Sequence, residues 1–458
     1  MAGEENPQIN FSASLTRRLE EAAEEIRNHS GRTRIFSHYD PDGITAAAII
    51  CKVMLGLGKP FKVTLTKKLD DKRVKEAGET PNDQLIIFAD MGATRVSQLD
   101  DFPHKVIVVD HHEPEAEGEN IIHVNPHFFD IDGAREASAA SFAFSLASTV
   151  DERNWSLASL AIAGAIGDRQ NLGGFQGYNE ELVAAAAQRE LISIEVMPDL
   201  KGHTIFESLT EHPEPYFVDI TGRKQKASRF MKWLGLDKES EFKSLEEEQK
   251  RFLTSICAMR LLRQGATPEA ILNFVTERYW LYDWDMYADE LTSLFNACSR
   301  QGDQATGLAM ALGDRAAREA AAAHRLKHQE WIIENLRKLE VDPPESKRHL
   351  QYFYAAESSY AGVLAGLGTL YFFDDSKATF GIHKNGGNLN VSARAPRSLV
   401  EAGVNLGVAC RKAGEAVGGS GGGHDIAAGA TVPSKREKKF LSELDKILKE
   451  QLTSRNSE

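Results

Sequence analysis

The sequence contains few cysteines, and they form no recognisable pattern. Only four occur among 458 residues, at Cys51, Cys257, Cys298 and Cys410, and no two are close in sequence. Structural zinc sites and disulfide frameworks both need closely or regularly spaced cysteines. We therefore expect buried, reduced thiols and neither a zinc–thiolate site nor a disulfide framework.

Long apolar runs are also missing. The sequence has no uninterrupted apolar stretch of the length that a membrane-spanning helix needs, and residues 1–14 include acidic side chains rather than an apolar signal core. We therefore expect a cytoplasmic protein without a membrane span. The charged fraction of 26% and the hydrophobic fraction of 42% are ordinary for globular proteins, and the length suggests two or three domains.

An overall excess of positive charge is absent. The net charge is -13, which argues against a surface that binds nucleic acid everywhere. Residues 380–440 reverse this sign, because nine Lys and Arg face four Asp and Glu there, and nine minus four gives a local charge of +5. The C-terminal part is therefore the expected place for a polyanion.

Short apolar runs alternate with helical segments in the first 195 residues. The candidate strands are residues 33–37, 62–66, 84–89, 105–109 and 121–125. Continuous apolar strands that alternate with helices predict an α/β fold with an open parallel sheet and helices on both faces.

The pattern changes after residue 195. Residues 195–338 are charged and mostly helical, including residues 268–277, with no convincing strand. After an expected linker at Asp342–Glu345, we predict strands at 350–355 and 370–373, a hairpin over 378–394, a helix at 398–413, a glycine-rich loop at 418–423 and a final helix at 435–452. The expected domains are therefore a catalytic parallel-sheet domain (1–195), a helical inserted region (196–342) and a smaller α/β substrate-binding domain (343–458).

Acidic and imidazole side chains follow the predicted strands of the first domain. The clusters are His38, Asp40 and Asp42, then Asp90, then Asp110, His111 and His112, and finally Asp168 after an Ala-rich helix. The carboxyl ends of parallel strands meet at one sheet edge, where such folds bind ligands. Aspartates before helices are also common N-caps, and Asp168 could be an ordinary loop acid, so each cluster alone has a structural explanation.

Together, the clusters predict a metal site. Crowded carboxylates repel one another unless cations neutralise them. Mixed oxygen and imidazole ligands suit Mn²⁺ best, and Mg²⁺ in a hydrated site. Two such ions about 3.5–4 Å apart can activate a water and stabilise an in-line displacement at phosphorus. The sequence therefore predicts a two-metal phosphoesterase.

These motifs resemble those of the DHH phosphoesterases, and among them the RecJ-like nucleases. The resemblance rests on His38-x-Asp40-x-Asp42-Gly43, Asp90, Asp110-His111-His112 and Gly164-Ala165-Ile166-Gly167-Asp168. It extends to the second domain, where Val391-Ser392-Ala393-Arg394 and Gly421-Gly422-Gly423-His424 look like the associated DHHA1 domain. The sequence is most similar to the archaeal RecJ-like proteins, which include a GINS-associated nuclease.

The resemblance implies a role for each of these residues. His38 and Asp40 would bind one metal ion, and Asp42, His111 and Asp168 the other, with Asp90 shared by both. Asp110 would orient a neighbouring histidine, and His112 would face the scissile phosphate. The nucleic-acid backbone would be bound by Ser392, Arg394, Gly422, Gly423 and His424, across a cleft between the two domains.

The function that the resemblance implies is a metal-dependent exonuclease on single-stranded nucleic acid. Digestion of DNA from the 5′ end to mononucleotides is the expected mode, with a 3′-to-5′ RNA exonuclease as the alternative. A small-molecule phosphoesterase that cleaves short oligonucleotides or cyclic dinucleotides is a second alternative. A pure replisome scaffold is disfavoured because every expected metal ligand is present, but a GINS-type replication protein could be a partner.

Four further features have structural explanations that we favour or leave open. His324 and His328 share a helix face and are expected to be solvated. The aromatic residues Trp280, Tyr282, Trp284 and Tyr287 could stack on bases, but packing is the expected role. Lys384 and Arg397 could be substrate contacts or ordinary solvated charges. The glycine-rich segment could be a flexible loop without a ligand.

Overall fold

The computed structural model describes residue 9 and residues 11–81 and 84–454. Two compact units account for the chain: residues 1–197 with 276–326, and residues 198–275 with 327–458. The expected helical region is thus divided between the two units. The expected boundaries at 195/196 and 342/343 stay predictions.

The first 197 residues contain a parallel sheet with helices packed on it. Its strands are β1 (Thr33–His38), β2 (Phe61–Thr66), β3 (Leu85–Ala89), β4 (Val106–Val109) and β5 (Ile121–Val124). The next strand along the chain, β6 (Ile192–Pro198), belongs to another sheet. The helices are α1 (Ala13–Asn28), α2 (Pro41–Gly56), α3 (Asp71–Gly78), α4 (Val96–Leu99), α5 (Ala139–Val150), α6 (Ala158–Gly167) and α7 (Gly177–Gln188). The strand order is β2-β1-β3-β4-β5, and all four pairings are parallel, which confirms the predicted sheet.

Strand β3 shows why this sheet is covered on both faces. Side chains alternate along a strand, so Leu85, Ile87 and Ala89 point to one face and Ile86 and Phe88 to the other. The first three join the core formed with α1, α2, α5 and α6, while the other two pack against α3 and α4. All five are fully buried, so helices on both sides remove the whole strand from water.

The middle of the chain is not wholly helical. Its helices are α8 (Ile205–Glu211), α9 (Lys224–Trp233), α10 (Glu247–Arg263), α11 (Pro268–Leu272), α12 (Ala288–Gln301), α13 (Gln304–Ala311) and α14 (Arg315–Val341). Between α11 and α12 lie β7 (Val275–Leu281) and β8 (Met286–Tyr287), which form a three-stranded sheet with β6. The prediction of no strands here was wrong, and the helix predicted over 268–277 is confirmed only as far as Leu272, because β7 begins at Val275. In β7, Arg278, Tyr279 and Leu281 are all buried, so a charged residue stands among the buried positions. The strand therefore lacks the two-residue alternation of apolar and polar residues that would have identified it.

The C-terminal part is a second α/β structure. Its strands are β9 (Glu345–Ser346), β10 (Leu350–Tyr354), β11 (Ala378–Asn385), β12 (Asn388–Arg394), β13 (Ser420–Gly423) and β14 (Ala427–Pro433). Its helices are α15 (Ser358–Tyr371), α16 (Arg397–Glu401), α17 (Leu406–Glu415) and α18 (Glu437–Ser454). The six strands form one mixed sheet in the order β13-β14-β12-β11-β10-β9.

Three predictions in this part need correction. Residues 370–371 end helix α15 and residues 372–373 form the turn after it, instead of a strand. The expected helix at 398–413 is two helices, and Gly403 between them has a left-handed φ of 104°. The glycine-rich segment forms strand β13 on the edge of the sheet, because pairing with β14 satisfies its backbone. Within the described part of the chain, no helix is both long enough and apolar enough to cross a membrane.

Candidate metal centre

Three neighbouring strands of the parallel sheet end at the same level. Ser37 of β1 is aligned with Ala89 of β3, which is aligned with Val109 of β4. The polar residues that follow these three positions are His38, Asp90 and Asp110. The strand register therefore brings the first three predicted clusters to one edge of the sheet.

The turn from β1 into α2 is held tightly against the strand. Ser37 Oγ donates to the carbonyl of Gly43 at 2.7 Å and to that of Ala89 at 3.0 Å. A Cβ atom on Gly43 would lie 2.4 Å from the carbonyl oxygen of His38, so only glycine fits. Asp40 is the N-cap of α2, since one of its oxygens accepts from Gly43 N at 3.1 Å, while the other lies 3.0 Å from His38 Nδ1. Asp40 thus caps α2 with one carboxylate oxygen and offers the other to the site.

Asp42 is bound by the N-terminus of α5. Its two oxygens accept hydrogen bonds from Ala139 N at 2.8 Å and Ala140 N at 3.0 Å, and its side chain is fully buried. The N-terminal amides and the helix dipole favour negative charge at this position. The carboxylate therefore has a fixed orientation.

Asp90 lies between two histidines. Its backbone has a left-handed φ of 53°, which is uncommon outside glycine but most accessible to Asp and Asn. Its Oδ2 lies 3.2 Å from His38 Nδ1, and its Oδ1 lies 3.4 Å from His111 Nε2. Oδ1 is buried, and no hydrogen bond to it is formed by any residue that the structure describes. A buried carboxylate oxygen without a donor is what a bound cation would satisfy.

Asp110 makes hydrogen bonds with both of its oxygens. One accepts from Ala93 N at 2.9 Å, and the other accepts from His111 N and from His112 Nδ1, each at 2.8 Å. This leaves the Nε2 side of the His112 ring outward, and that side chain is 55% exposed. Asp110 therefore orients His112 and has little capacity left to ligate an ion.

His111 is fixed by a backbone carbonyl. Its Nδ1 lies 2.7 Å from the carbonyl oxygen of Gly133, so Nδ1 carries the proton in that hydrogen bond and Nε2 is left for the site. Nε2 lies 3.2 Å from Asp168 Oδ2 and 3.9 Å from Asp42 Oδ2. Metal-binding histidines commonly have this second hydrogen bond.

Asp168 reaches the site from the end of α6, which packs closely on α2. A Cβ atom on Gly164 would lie 2.7 Å from Asp42 Oδ1 and 2.5 Å from Thr45 Oγ1. The glycine in the Ala-rich stretch therefore allows the two helices to approach, and Asp168 follows as the C-cap residue of α6.

The described part of the chain contains three groups of side chains whose ligand atoms lie within 4.8 Å of one another: His38 with Asp40 and Asp90; Asp42 with His111 and Asp168; and Asp90 with His111 and His112. These groups contain all six residues that were predicted as metal ligands. Oxygen and imidazole donors at this density fit a divalent cation such as Mn²⁺.

The pKa values reflect the crowding of acids and imidazoles. Burial raises the pKa of Asp42 to about 7, with the Asp90 charge acting in the same direction. Burial and the Asp42 charge raise the pKa of Asp168 well above its usual range. Burial lowers the pKa of His38, but its hydrogen bonds to Asp40 and Asp90 outweigh this and raise the value to about 11. Without cations, protons therefore neutralise part of this cluster.

In the second unit, Ser392 and Arg394 lie on one face of β12. Both are half-buried and alternate with the buried residues Val391 and Ala393. Arg394 Nη1 donates to the carbonyl of Ala393 at 2.8 Å, and a Cβ atom on Gly362 of α15 would lie 3.1 Å from Arg394 Nη2. Arg394 thus packs against α15 at a position where that helix has only a glycine.

The predicted glycine-rich contact is a strand in the same sheet. Ser392 is aligned with Gly429 of β14, which is aligned with Gly422 of β13. A Cβ atom on Gly422 would meet nothing within 4 Å among the described residues, so a strand backbone is open to approach there. Gly423 has a φ of 134° and lies next to the exposed His424.

Other predicted features are structural. His328 is buried with Nδ1 3.1 Å from the Tyr360 hydroxyl, and His324 Nε2 lies 3.0 Å from Asp303 Oδ2, so the expectation that both are solvated was wrong. Trp280 packs edge-on against Tyr287, as expected for packing rather than base stacking. All four cysteines are buried and unpaired, as predicted.

Two other charges differ in their surroundings. Lys384 Nζ lies 3.4 Å from Glu437 and above the ring of Tyr354, whereas Arg397 is exposed.

Sequence reasoning missed Gly133 and the first amides of α5, because backbone donors and acceptors leave no signal in residue types.

Comparisons with known proteins identify two family domains in the chain. The profile of the DHH family, N-terminal domain, matches residues 32–166, and that of the DHHA1 domain matches residues 359–450. The uncharacterized protein MJ0831 of Methanocaldococcus jannaschii is 30% identical over 439 residues, which cover 94% of this chain and 96% of that protein.

Solved structures share the fold at low sequence identity. RecJ from Thermus thermophilus in complex with Mn²⁺ has a TM-score of 0.60 and 20% identity, over 97% of this chain and 56% of that chain. The same RecJ in complex with Mg²⁺ has a TM-score of 0.54 and 18% identity, over 97% and 54%. CDC45 from Entamoeba histolytica has a TM-score of 0.64 and 13% identity, over 95% and 99%. The chain thus spans little more than half the length of RecJ from Thermus thermophilus.

Proposed function

We propose that this chain, which belongs to the DHH phosphoesterase superfamily, is a metal-dependent exonuclease on single-stranded nucleic acid. The observation that carries this proposal is the position of Asp90. Its two oxygens face different groups, one 3.2 Å from His38 Nδ1 and the other 3.4 Å from His111 Nε2. A carboxylate between two ligand groups suits a pair of ions that share it.

We assign the ligands accordingly. His38 and Asp40 would bind one ion, Asp42, His111 and Asp168 the other, and Asp90 would bind both. Mn²⁺ fits the mixed donors best and Mg²⁺ is the second candidate, in line with the ions named for the RecJ structures. When bound, such ions would activate water and stabilise the charge that develops at phosphorus.

His112 would contact the scissile phosphate. The hydrogen bond from Nδ1 to Asp110 outweighs the effect of burial and raises the pKa of His112, so the ring holds its proton at higher pH than an ordinary histidine. With Nδ1 committed, the exposed Nε2–H can donate to a phosphate oxygen or to the leaving oxygen. Asp110 would fix the direction of that proton.

The second unit would bind the sugar-phosphate backbone. Arg394 supplies a permanent positive charge, Ser392 lies two residues away on the same face of β12, and Gly422 leaves room for close approach. Gly423 and His424 would complete the contact. Release of mononucleotides from the 5′ end of DNA rests on the resemblance to RecJ-like nucleases.

The test is a Mn²⁺-dependent digestion of single strands of DNA and of RNA, each labelled at either end. We expect early loss of a 5′ label from DNA. Early loss of a 3′ label from RNA would instead establish the alternative polarity and sugar preference. Faster cleavage of a trinucleotide or a cyclic dinucleotide than of a long strand would overturn the exonuclease and identify a small-molecule phosphoesterase.

We also propose a GINS-type replication protein as a partner, from the resemblance to the archaeal RecJ-like proteins. Helix α10 is the proposed contact surface, because it is apolar on both sides. Leu253, Cys257 and Leu261 of α10 are buried, while Phe252 and Met259 on the opposite side are 49% and 64% exposed. Exposed apolar patches on a folded protein commonly mark interaction sites. Co-elution with a purified GINS-type protein should be lost in a Met259→Ser variant that keeps nuclease activity. A wild-type chain that elutes alone from that mixture would exclude this partner.

A further inference from the structure

Gln170 lies in the turn that ends α6, two residues after Asp168. The turn is closed by hydrogen bonds from Gln170 N to Ala165 O at 3.1 Å and from Arg169 N to Ile166 O at 2.9 Å, and Arg169 has a left-handed φ of 61°. These two bonds are those of a Schellman motif. The turn therefore fixes the backbone that places Asp168 and Gln170.

The Gln170 amide binds both ends of the segment that precedes α5. Nε2 donates to the carbonyl of Gly133 at 3.0 Å and to that of Ala137 at 3.1 Å. The Gly133 carbonyl is also the acceptor that holds His111 Nδ1. Two residues after Ala137, the first amides of α5 donate to Asp42. The Gln170 amide thus connects the backbone groups that hold His111 and Asp42 to the turn that carries Asp168.

The other end of Gln170 is also fixed. Its Oε1 accepts from Asn179 Nδ2 at 2.7 Å, and Asn179 Oδ1 accepts from Ser141 Oγ at 2.5 Å. Gln170 is 6% exposed, Asn179 2% and Ser141 0%. Because both Nε2 protons and Oε1 have partners and water is excluded, the amide has one favourable orientation.

We propose that Gln170 is a positioning residue that holds Asp42, His111 and Asp168 in the geometry needed to bind one divalent cation. These three side chains come from separate elements, and the two carboxylates repel each other before an ion is bound. A rigid hydrogen-bonded support keeps them together and reduces the reorganisation that binding requires. This inference rests on the proposed metal-binding function of the same site.

A matched pair of variants tests the proposal. Gln170→Met keeps nearly the same length and shape but removes every side-chain hydrogen bond. Gln264 in the second unit is the control, because its Nε2 also donates to two carbonyls, those of Tyr216 at 2.7 Å and Tyr371 at 3.0 Å. Gln264→Met therefore removes a similar clamp from a region without metal ligands.

Calorimetric titration with Mn²⁺ gives the main result. We expect Gln170→Met to weaken Mn²⁺ binding by about ten- to a hundredfold, the loss typical when a residue that supports a ligand is removed. Gln264→Met should bind Mn²⁺ as the wild type does, with a comparable fall in melting temperature. Excess Mn²⁺ should restore much of the activity of Gln170→Met, because the substrate-binding residues are unchanged.

The outcomes separate the two levels of the proposal. A wild-type protein that binds no Mn²⁺ would remove the proposed function itself. A wild type that binds Mn²⁺ together with a folded Gln170→Met variant of equal affinity would overturn only the positioning role. If Gln170→Met does not fold, Asn179→Ala frees the same amide while Gln170 stays in place, and unchanged Mn²⁺ affinity in that variant would overturn the role as well.

Discussion

The two regions assigned to catalysis and to substrate binding are built in different ways. In the first unit, Asp42 and Asp90 are buried and His111 is nearly so, and each is held by a backbone group or by a neighbouring ligand. In the second, Ser392 and Arg394 are half-buried on a strand and His424 is exposed. A metal ion requires ligands at fixed distances, whereas a polymer that advances after each cleavage needs contacts that form and break. The difference in burial therefore fits the proposed difference in task.

Substitutions should reduce activity more in the metal-ligand region of the first unit than in the second unit, and the largest loss is expected at Asp90. Asp90→Ala removes the carboxylate between the two ligand groups. We expect activity with Mn²⁺ to fall by about a thousandfold or more, because metal stabilisation contributes several kcal/mol to the transition state. Single-turnover assays at saturating substrate would measure this fall in the cleavage rate. Asp90→Asn is the matched variant, since Asn tolerates the left-handed backbone, and near-normal activity of either variant would exclude the shared-ligand role.

Arg394→Ala should have the next largest effect, of a different kind. Loss of a charge-assisted contact to phosphate would weaken substrate binding by about ten- to a hundredfold, from about 1.5–3 kcal/mol for such a hydrogen bond. KM should rise while Mn²⁺ affinity stays the same. His424→Ala should act in the same direction. Calorimetry that shows weaker Mn²⁺ binding in either variant would contradict the division of roles between the regions.

The pH dependence distinguishes the first region further. Burial raises the pKa of Asp42 from 3.8 to about 7, so ionisation of this group between those values destabilises the metal-free fold. Mn²⁺ requires the ionised form and must displace protons, so its affinity should rise by about tenfold per pH unit for each proton released. The increase in melting temperature caused by Mn²⁺ should therefore be larger at pH 8 than at pH 5. An equal increase at both would show that no ligand is protonated.

The smallest expected effect separates two adjacent glycines of the second region. A Cβ atom at Gly422 meets open space, whereas one at Gly423 would lie 2.6 Å from the Ala428 backbone at a φ of 134°. Gly422→Ala should leave stability within about 1 kcal/mol of the wild type, the usual size of the effect where the backbone accommodates alanine, and raise KM a few fold. Gly423→Ala should lower the melting temperature clearly. Unchanged KM in Gly422→Ala would show that the strand backbone is not approached by substrate.

The parallel sheet and its edge were predictable because both depend on residue types. Strands β3 and β4 are continuous apolar runs, β1 has apolar residues at Ile35 and Phe36, and acids or imidazoles stand at or just after the end of each strand. Parallel strands place such residues at one edge without further information. The six candidate ligands could therefore be brought together from the sequence alone.

Strand β13 and the hydrogen bonds of Gln170 were not predictable, for the same reason. The Ser420–Gly423 segment has no strand propensity of its own, and it becomes a strand because β14 offers backbone partners. Gln170 is an ordinary polar residue by type, and its side-chain amide donates to two carbonyls more than thirty residues away in the chain. Tertiary hydrogen bonds to the backbone leave no pattern in a single sequence.

The left-handed backbone of Asp90 restricts how this site could change over time. At a φ of 53°, Asp, Asn and Gly are accommodated far more readily than branched or bulky residues. A descendant that abandons hydrolysis would lose this carboxylate most easily through Asn or Gly, with little damage to the fold. The turn after β3 would then keep its backbone conformation without the metal-binding carboxylate, and the protein could persist as a binding module.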